Sequence, residues 1–205
     1  MKKLIILLCN CCLVIALFVS CSVQSYCPFY TAETKCDAPK ELVGEWKCSN
    51  LTNDKKKNDK IRPWVFSNDK VQTYDANNVP STLNTVFFKV DGELYCDLTA
   101  GEPETKGAFN SFWLMQFTPI HTLCKIEING NRLVCKPLDS KWLSNAIDKK
   151  KVSIPRLTSK EVKKRMLYTA TPEQWQVFLK KYGKTKGVFR DESTFSFVKV
   201  SGKLK

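Results

Sequence analysis

From Leu42 the chain alternates with a period of two. Gly44, Trp46 and Cys48 fall on one face, and Glu45, Lys47 and Ser49 on the other. That alternation predicts a half-buried β-strand, because successive side chains of a strand point to opposite faces. Residues 63–67 and 70–74 predict two more short strands around Asn68-Asp69, after a polar, lysine-rich loop over 50–60. Residues 85–90 and 93–98 flank Asp91-Gly92, a pair suited to a type I′ hairpin turn, in which both central residues take positive φ. That register sets Val90 against Glu93 and Phe87 against Cys96, with Leu94, Cys96 and Leu98 on one apolar face. Residues 99–110 read as a loop and 112–117 as another strand.

A second hairpin is predicted around Asn129-Gly130, from residues 123–128 and 131–135. Its register would pair Ile128 with Asn131, Glu127 with Arg132 as an ion pair, Ile126 with Leu133 and Cys124 with Cys135. Directly opposed Cα atoms lie ~4.5–5.5 Å apart, within the range a disulfide accepts. Two helices are expected before the final strand. Asp139 caps a stripe of Trp142, Leu143, Ala146 and Ile147. Thr171-Pro172-Glu173-Gln174 is a capping box with proline at the first helical position. Trp175, Phe178, Leu179 and Tyr182 follow it as an apolar stripe, and Gly183 suits the C′ position. Residues 160–166 read as a third, weaker helix and 194–200 as a closing strand.

About nine short strands with two or three helices before the last predict a mainly β fold, a closed antiparallel up-and-down barrel over residues 41–205. Leu42-Val43-Gly44-Glu45-Trp46 resembles the Gly-x-Trp motif that opens the first strand of lipocalins, eight-stranded barrels that hold small apolar ligands. The resemblance implies that Gly44 and Trp46 form the plug of the barrel's closed end. Residues 119–143, with the capped helix from Thr171, are similar to lipocalin-like domains of uncharacterised bacterial lipoproteins. The chain departs from the lipocalin pattern in lacking a clear later motif and in carrying its helices before the last strand.

The N-terminus carries a different pattern. Lys2 and Lys3 precede a 16-residue run, Leu4 to Val19, that is apolar except for Asn10. It is shorter than the ~20 residues a spanning helix needs, and its flanks are those of an export signal over residues 1–20. Phe18-Val19-Ser20-Cys21 resembles the lipobox of bacterial lipoproteins, although Leu is usual where Phe18 stands. The resemblance implies cleavage before Cys21, a diacylglycerol on its sulfur and a palmitate-type acyl chain on its amine. Rival readings are ordinary cleavage after Ser22 and a helix left uncut. Residues 21–40, with Pro28 and Pro39, read as an irregular tether. The implied location is a bacterial cell envelope, on the periplasmic or surface face of a membrane, with Ser22 favouring the outer one.

The address gives charge and cysteines their meaning. The 205-residue chain carries a formal net charge of +13, with lysine runs at 55–57 and 149–151 and basic residues at 160 and 163–165. These read as solvated faces or as attraction to anionic lipid or an acidic protein partner; export argues against nucleic acid. Beyond the signal and Cys21, six cysteines remain: Cys27, Cys36, Cys48, Cys96, Cys124 and Cys135. Disulfides are expected in an oxidising compartment, with Cys27–Cys36 and Cys124–Cys135 the favoured pairs. Buried thiols are the competing reading. A four-thiolate metal site is disfavoured because no two of these six cysteines stand at Cys-x-x-Cys spacing.

No catalytic constellation emerges. The chain's single histidine, His121, reads as structural, and neither a nucleophile elbow nor a glycine-rich phosphate loop is present. Asp97, Glu102 and Glu104 are the one carboxylate group that leaves an unfamiliar hydrolase open. The expectation is a non-enzymatic protein without cofactor or metal. Trp64, Phe87, Phe112 and Phe117 are candidates to line a site for an apolar or amphiphilic ligand. The alternative is a filled barrel with a basic docking surface.

Overall fold

The computed structural model describes residues 23–50, 55–101, 119–158, 166–191 and 195–200. Eight strands close a ring: β3 (Gly44–Cys48), β4 (Trp64–Phe66), β5 (Lys70–Tyr74), β6 (Pro80–Val90), β7 (Glu93–Ala100), β8 (His121–Asn129), β9 (Arg132–Pro137) and β12 (Phe195–Lys199). Each pairs antiparallel with the next, and β12 returns to β3. The result is a mainly β, lipocalin-like barrel, as the alternation predicts. Among the described residues three α-helices accompany it: α1 (Lys55–Lys60), α2 (Ser140–Asp148) and α3 (Pro172–Tyr182).

The first described residues are not an irregular tether. Val23 and Phe29 are fully buried. Strand β1 (Gln24–Ser25) inserts between β8, antiparallel, and β11 (Met166–Tyr168), parallel. β11 in turn pairs with β10 (Arg156–Thr158). A short β2 (Lys35–Cys36) pairs with the lower half of β6 at Phe87 and Phe88. Two-residue strands carry too little periodicity to be read from sequence; their backbone groups pair because neighbouring edges are open to them. Met166 begins a strand rather than ending a helix, while the rest of the expected third helix, and the expected strand 112–117, lie outside the described residues.

The first hairpin follows its turn chemistry. Asp91 and Gly92 both take positive φ, 51° and 81°, and Val90 faces Glu93 while Phe87 faces Cys96. The second hairpin corrects the sequence reading. Its central pair is Gly130-Asn131, with Gly130 at φ 59° and Asn129 facing Arg132. Glycine at the first central position is the type II′ arrangement. The register therefore moves by two residues: Ile126 faces Cys135, and Cys124 faces Pro137. Glu127 faces Val134, and its carboxylate meets Lys136 at 2.9 Å rather than Arg132. A two-residue shift keeps every side chain on its face, so periodicity cannot separate the two registers.

The loop expected over 50–60 contains α1. Asn58 is buried there and its Nδ2 donates to Ser49 O (3.0 Å). Both later helices begin where their caps place them. Asp139 accepts from Trp142 N (2.6 Å), and Thr171 and Gln174 complete a reciprocal capping box. Gly183 follows α3 at φ −59°, so left-handed backbone is not its role. A Cβ there would collide with Tyr95 Oη and with Leu179 O at 2.6 Å, so the position is held by close approach of helix to barrel wall.

Two cores result. One fills the barrel and includes Trp46, Phe66, Val71, Phe87, Cys96, Leu133 and Phe197. The other lies between the outer wall and the helices, where Phe88, Tyr95 and Leu123 meet Trp175, Phe178, Leu179 and Leu143. Alternation along β6 makes the division visible, since Phe87 belongs to the first and Phe88 to the second.

Candidate functional site

The two ends of the barrel differ. At one end, Cys36, Ala38 and Leu42 pack against the interior cluster, and Trp46 Nε1 donates to Leu42 O (2.6 Å). Trp46 and Leu42 are fully buried, and the Lys199 ammonium lies 5.2 Å from the indole ring centre. Gly44, at φ 126°, lets the chain enter β3 there in a conformation side chains disfavour.

The opposite end is termed the mouth. Four apolar side chains that pack on the interior cluster remain half-buried there: Trp64, Leu83, Leu98 and Phe195. Trp64 stacks at an angle on Phe195 and Phe197, with ring centres 5.7 Å and 5.0 Å away, and its Nε1 donates to Tyr74 O (3.1 Å). Below it, Phe66 meets Phe197 edge-on, and Phe87 is almost fully buried. Of the expected lining residues, Trp64 therefore stands at the mouth and Phe87 belongs to the packed floor. Phe112 and Phe117 lie outside the described residues, as does Cys21.

The same interior holds four sulfurs. Cys48, Cys96, Cys124 and Cys135 are all buried in the interior cluster. Cys96 and Cys124 face each other across β7 and β8. No disulfide joins any of the six cysteines, which corrects both expected pairs, Cys27–Cys36 and Cys124–Cys135. For the latter the register is the reason: Cys124 lies opposite Pro137. Cys36 is instead drawn into β2 opposite Phe87, and Cys27 sits beyond β1, where its carbonyl accepts from Ser25 Oγ (2.7 Å).

Burial pushes the Cys96 and Cys135 thiols well above their ordinary range, and Cys124 up to about 12. Neighbouring thiols and Asp97 add to the effect on Cys96. These thiols are therefore protonated at neutral pH, the form that is a poor nucleophile. Among the described residues no group of three or more His, Cys, Asp or Glu is placed to hold a metal ion.

Among the described residues, one polar atom of the lining has no partner. Thr85 lies between Leu83 and Phe87 on the inward-facing set of β6, is buried, and its Oγ1 makes no hydrogen bond. Its cross-strand neighbour is Leu98. A buried hydroxyl left unpaired costs ~1–3 kcal/mol, and such a group recovers that cost when a ligand pairs with it. Sequence reading passed over Thr85, although its parity with Phe87 was enough to place it inside.

The carboxylate candidates separate. Asp97 faces the outer wall, buried, not the barrel. It accepts from Phe29 N (2.9 Å), and His121 Nδ1 lies 2.9 Å from its Oδ1. Glu102 and Glu104 lie outside the described residues. Ser25 faces His121 across β1 and β8, but its hydroxyl donates to Cys27 O and accepts from Trp175 Nε1 (3.0 Å). The Asp97–His121 pair thus fastens the N-terminal segment to the barrel. No protein-family model, curated protein or solved structure matches this chain.

Proposed function

We propose that this chain is a lipid-anchored, non-enzymatic protein of a bacterial cell envelope that binds a small amphiphile at the mouth of its barrel. The single observation that carries the ligand reading is the unpaired Thr85 hydroxyl, on the inward face of β6 two residues from Leu83 and paired across to Leu98. An apolar wall with one polar group that fixes orientation is the usual character of a small-molecule site. The packed floor of Phe66, Phe87 and Phe197 favours a shallow ligand over one threaded through the barrel. The anchor and location rest on the sequence: the apolar run, Ser20 and Cys21. Two or three acyl chains would hold a protein on a membrane without a spanning segment.

The test uses full-length protein extracted from host membranes. Native mass spectrometry is expected to show a co-purified lipid, and titration with 1-anilinonaphthalene-8-sulfonate a saturable, one-site rise in fluorescence. A protein with neither would be a filled barrel.

A second reading has its own observation. Tyr182 Oη donates to Lys151 O (2.8 Å), which brings the exposed run Lys149, Lys150, Lys151 beside the exposed Lys180, Lys181 and Lys184 at the end of α3. Such a cluster would attract anionic lipid or an acidic protein. Association unaffected by raised salt would rule that role out.

A further inference from the structure

The barrel lining does not stop at the barrel. Residues paired directly across neighbouring strands share a face of the sheet. Thr85 pairs with Leu98, Leu98 with Thr122, Thr122 with Gln24, Gln24 with Leu167, and Leu167 with Leu157. This single row begins at the buried, unpaired hydroxyl inside the barrel. It crosses the mouth at the upper end of β8 and runs out over β1, β11 and β10. At its far end Leu157 is 60% exposed, and Tyr26, next to β1, is 56% exposed. The other face of this apron is covered: Ser25 and Tyr168 are buried, with the Trp175 indole of α3 against both. The apron therefore opens on the same side as the mouth.

The position of β1 fixes what lies opposite. Val23 is buried, and Gln24 is already in the sheet. Cys21 is two residues from Val23, a reach of roughly 7 Å at full extension. A lipid on Cys21 would thus meet the bilayer with no spacer between the membrane and β1.

We infer that the apron of β1, β11 and β10 rests on the phospholipid surface, with the barrel mouth toward the bilayer, and that an amphiphile passes along the row from Leu157 to Thr85 without crossing water. The inference rests on the proposed acylation of Cys21. It adds an orientation and an entry route, which the anchor alone does not specify.

The experiment reconstitutes the membrane-extracted protein into vesicles of phosphatidylethanolamine and phosphatidylglycerol doped with a phospholipid carrying a diazirine near its headgroup. After illumination, adducts are mapped by mass spectrometry, and the intact mass is read from the same sample. The expected result is an acylated chain with adducts at Tyr26, Leu157 and Leu167 at least fivefold above those at Val43, Val65 and Val198, which are partly exposed elsewhere on the barrel. An acylated chain with even labelling overturns the orientation and leaves the anchor standing. A chain without acyl groups overturns both.

The route has a separate readout. Tyr26→Glu with Leu157→Glu changes two exposed side chains and is expected to slow transfer of a fluorescent fatty acid from vesicles about tenfold. Its binding from solution should be unchanged. Transfer at the unmodified rate overturns the route.

Discussion

Asp97 and His121 form a contact on the outside of the barrel that holds the beginning of the chain in place. The carboxylate sits 2.9 Å from His121 Nδ1 and accepts from the backbone N–H of Phe29. Gln176 Nε2 adds a hydrogen bond to Phe29 O (2.7 Å) from α3. Replacing Asp97 by Ala strands a buried amide and a histidine. The expected loss is about 2–4 kcal/mol, read from the urea midpoint. Hydrogen exchange should localise the loosening to residues 23–36. Uniform exchange across the barrel strands would mean that Asp97 supports the whole wall instead.

Thr85→Val removes a hydroxyl that makes no hydrogen bond and keeps its shape. The free protein should gain about 1 kcal/mol in thermal or chemical denaturation. Affinity for an amphiphile with a polar head should fall about fivefold, while a plain hydrocarbon probe should bind as before. A loss of stability would show that Thr85 is paired in solution.

The buried thiols set an alkaline limit on stability. Cys96, Cys124 and Cys135 have folded pKa values raised above the ordinary value near 9. Between those values the unfolded chain has lost protons that the folded one keeps. Their stabilising contribution is complete below about pH 8 and declines as pH rises through 9 toward 12. Each thiol contributes a slope of up to about 1.4 kcal/mol per pH unit. Urea midpoints measured across that range should fall, and should flatten when the three are replaced together by Ala. At pH 8 a maleimide should spare these three in the folded protein and modify them once it is denatured.

Gly183→Ala tests the approach of α3 to the wall. The added methyl would meet Tyr95 Oη and Leu179 O, so helix or strand must shift. A cost of about 1–3 kcal/mol is expected, although φ is −59° and helical propensity alone would favour alanine. A stabilised variant would show that the gap is wider than the structure places it.

Much of the barrel was legible because its strands are long enough for alternation to speak. β3, β7 and β8 put Trp46, Cys96 and Cys124 inside, as their parity requires. Both helix caps announced themselves through side chains that bind their own backbone. The second hairpin was misread because Asn129-Gly130 and Gly130-Asn131 are both acceptable turns, and apolar faces cannot discriminate between registers two residues apart. β1 was invisible for a further reason. Gln24 and Ser25 become a strand only because distant edges receive them, and no local signal encodes that. Thr85 was missed as a site residue because threonine is ordinary in strands. Its missing hydrogen bond is a property of the assembled barrel.

Strand β1 also orders events in time. It lies between β8 and β11, so Gln24 and Ser25 find their second partner only after Tyr168 exists. The ring likewise waits for β12, whose Phe197 must reach Cys48 near the opposite end of the chain. Contacts this remote in sequence make folding slow, since a long loop must close before any contact rewards it. A chain exported N-terminus first, as proposed, cannot complete these closures until Tyr168 and Phe197 have arrived. With Cys21 acylated as proposed, that end would be fastened to the membrane before it is fastened to its own sheet.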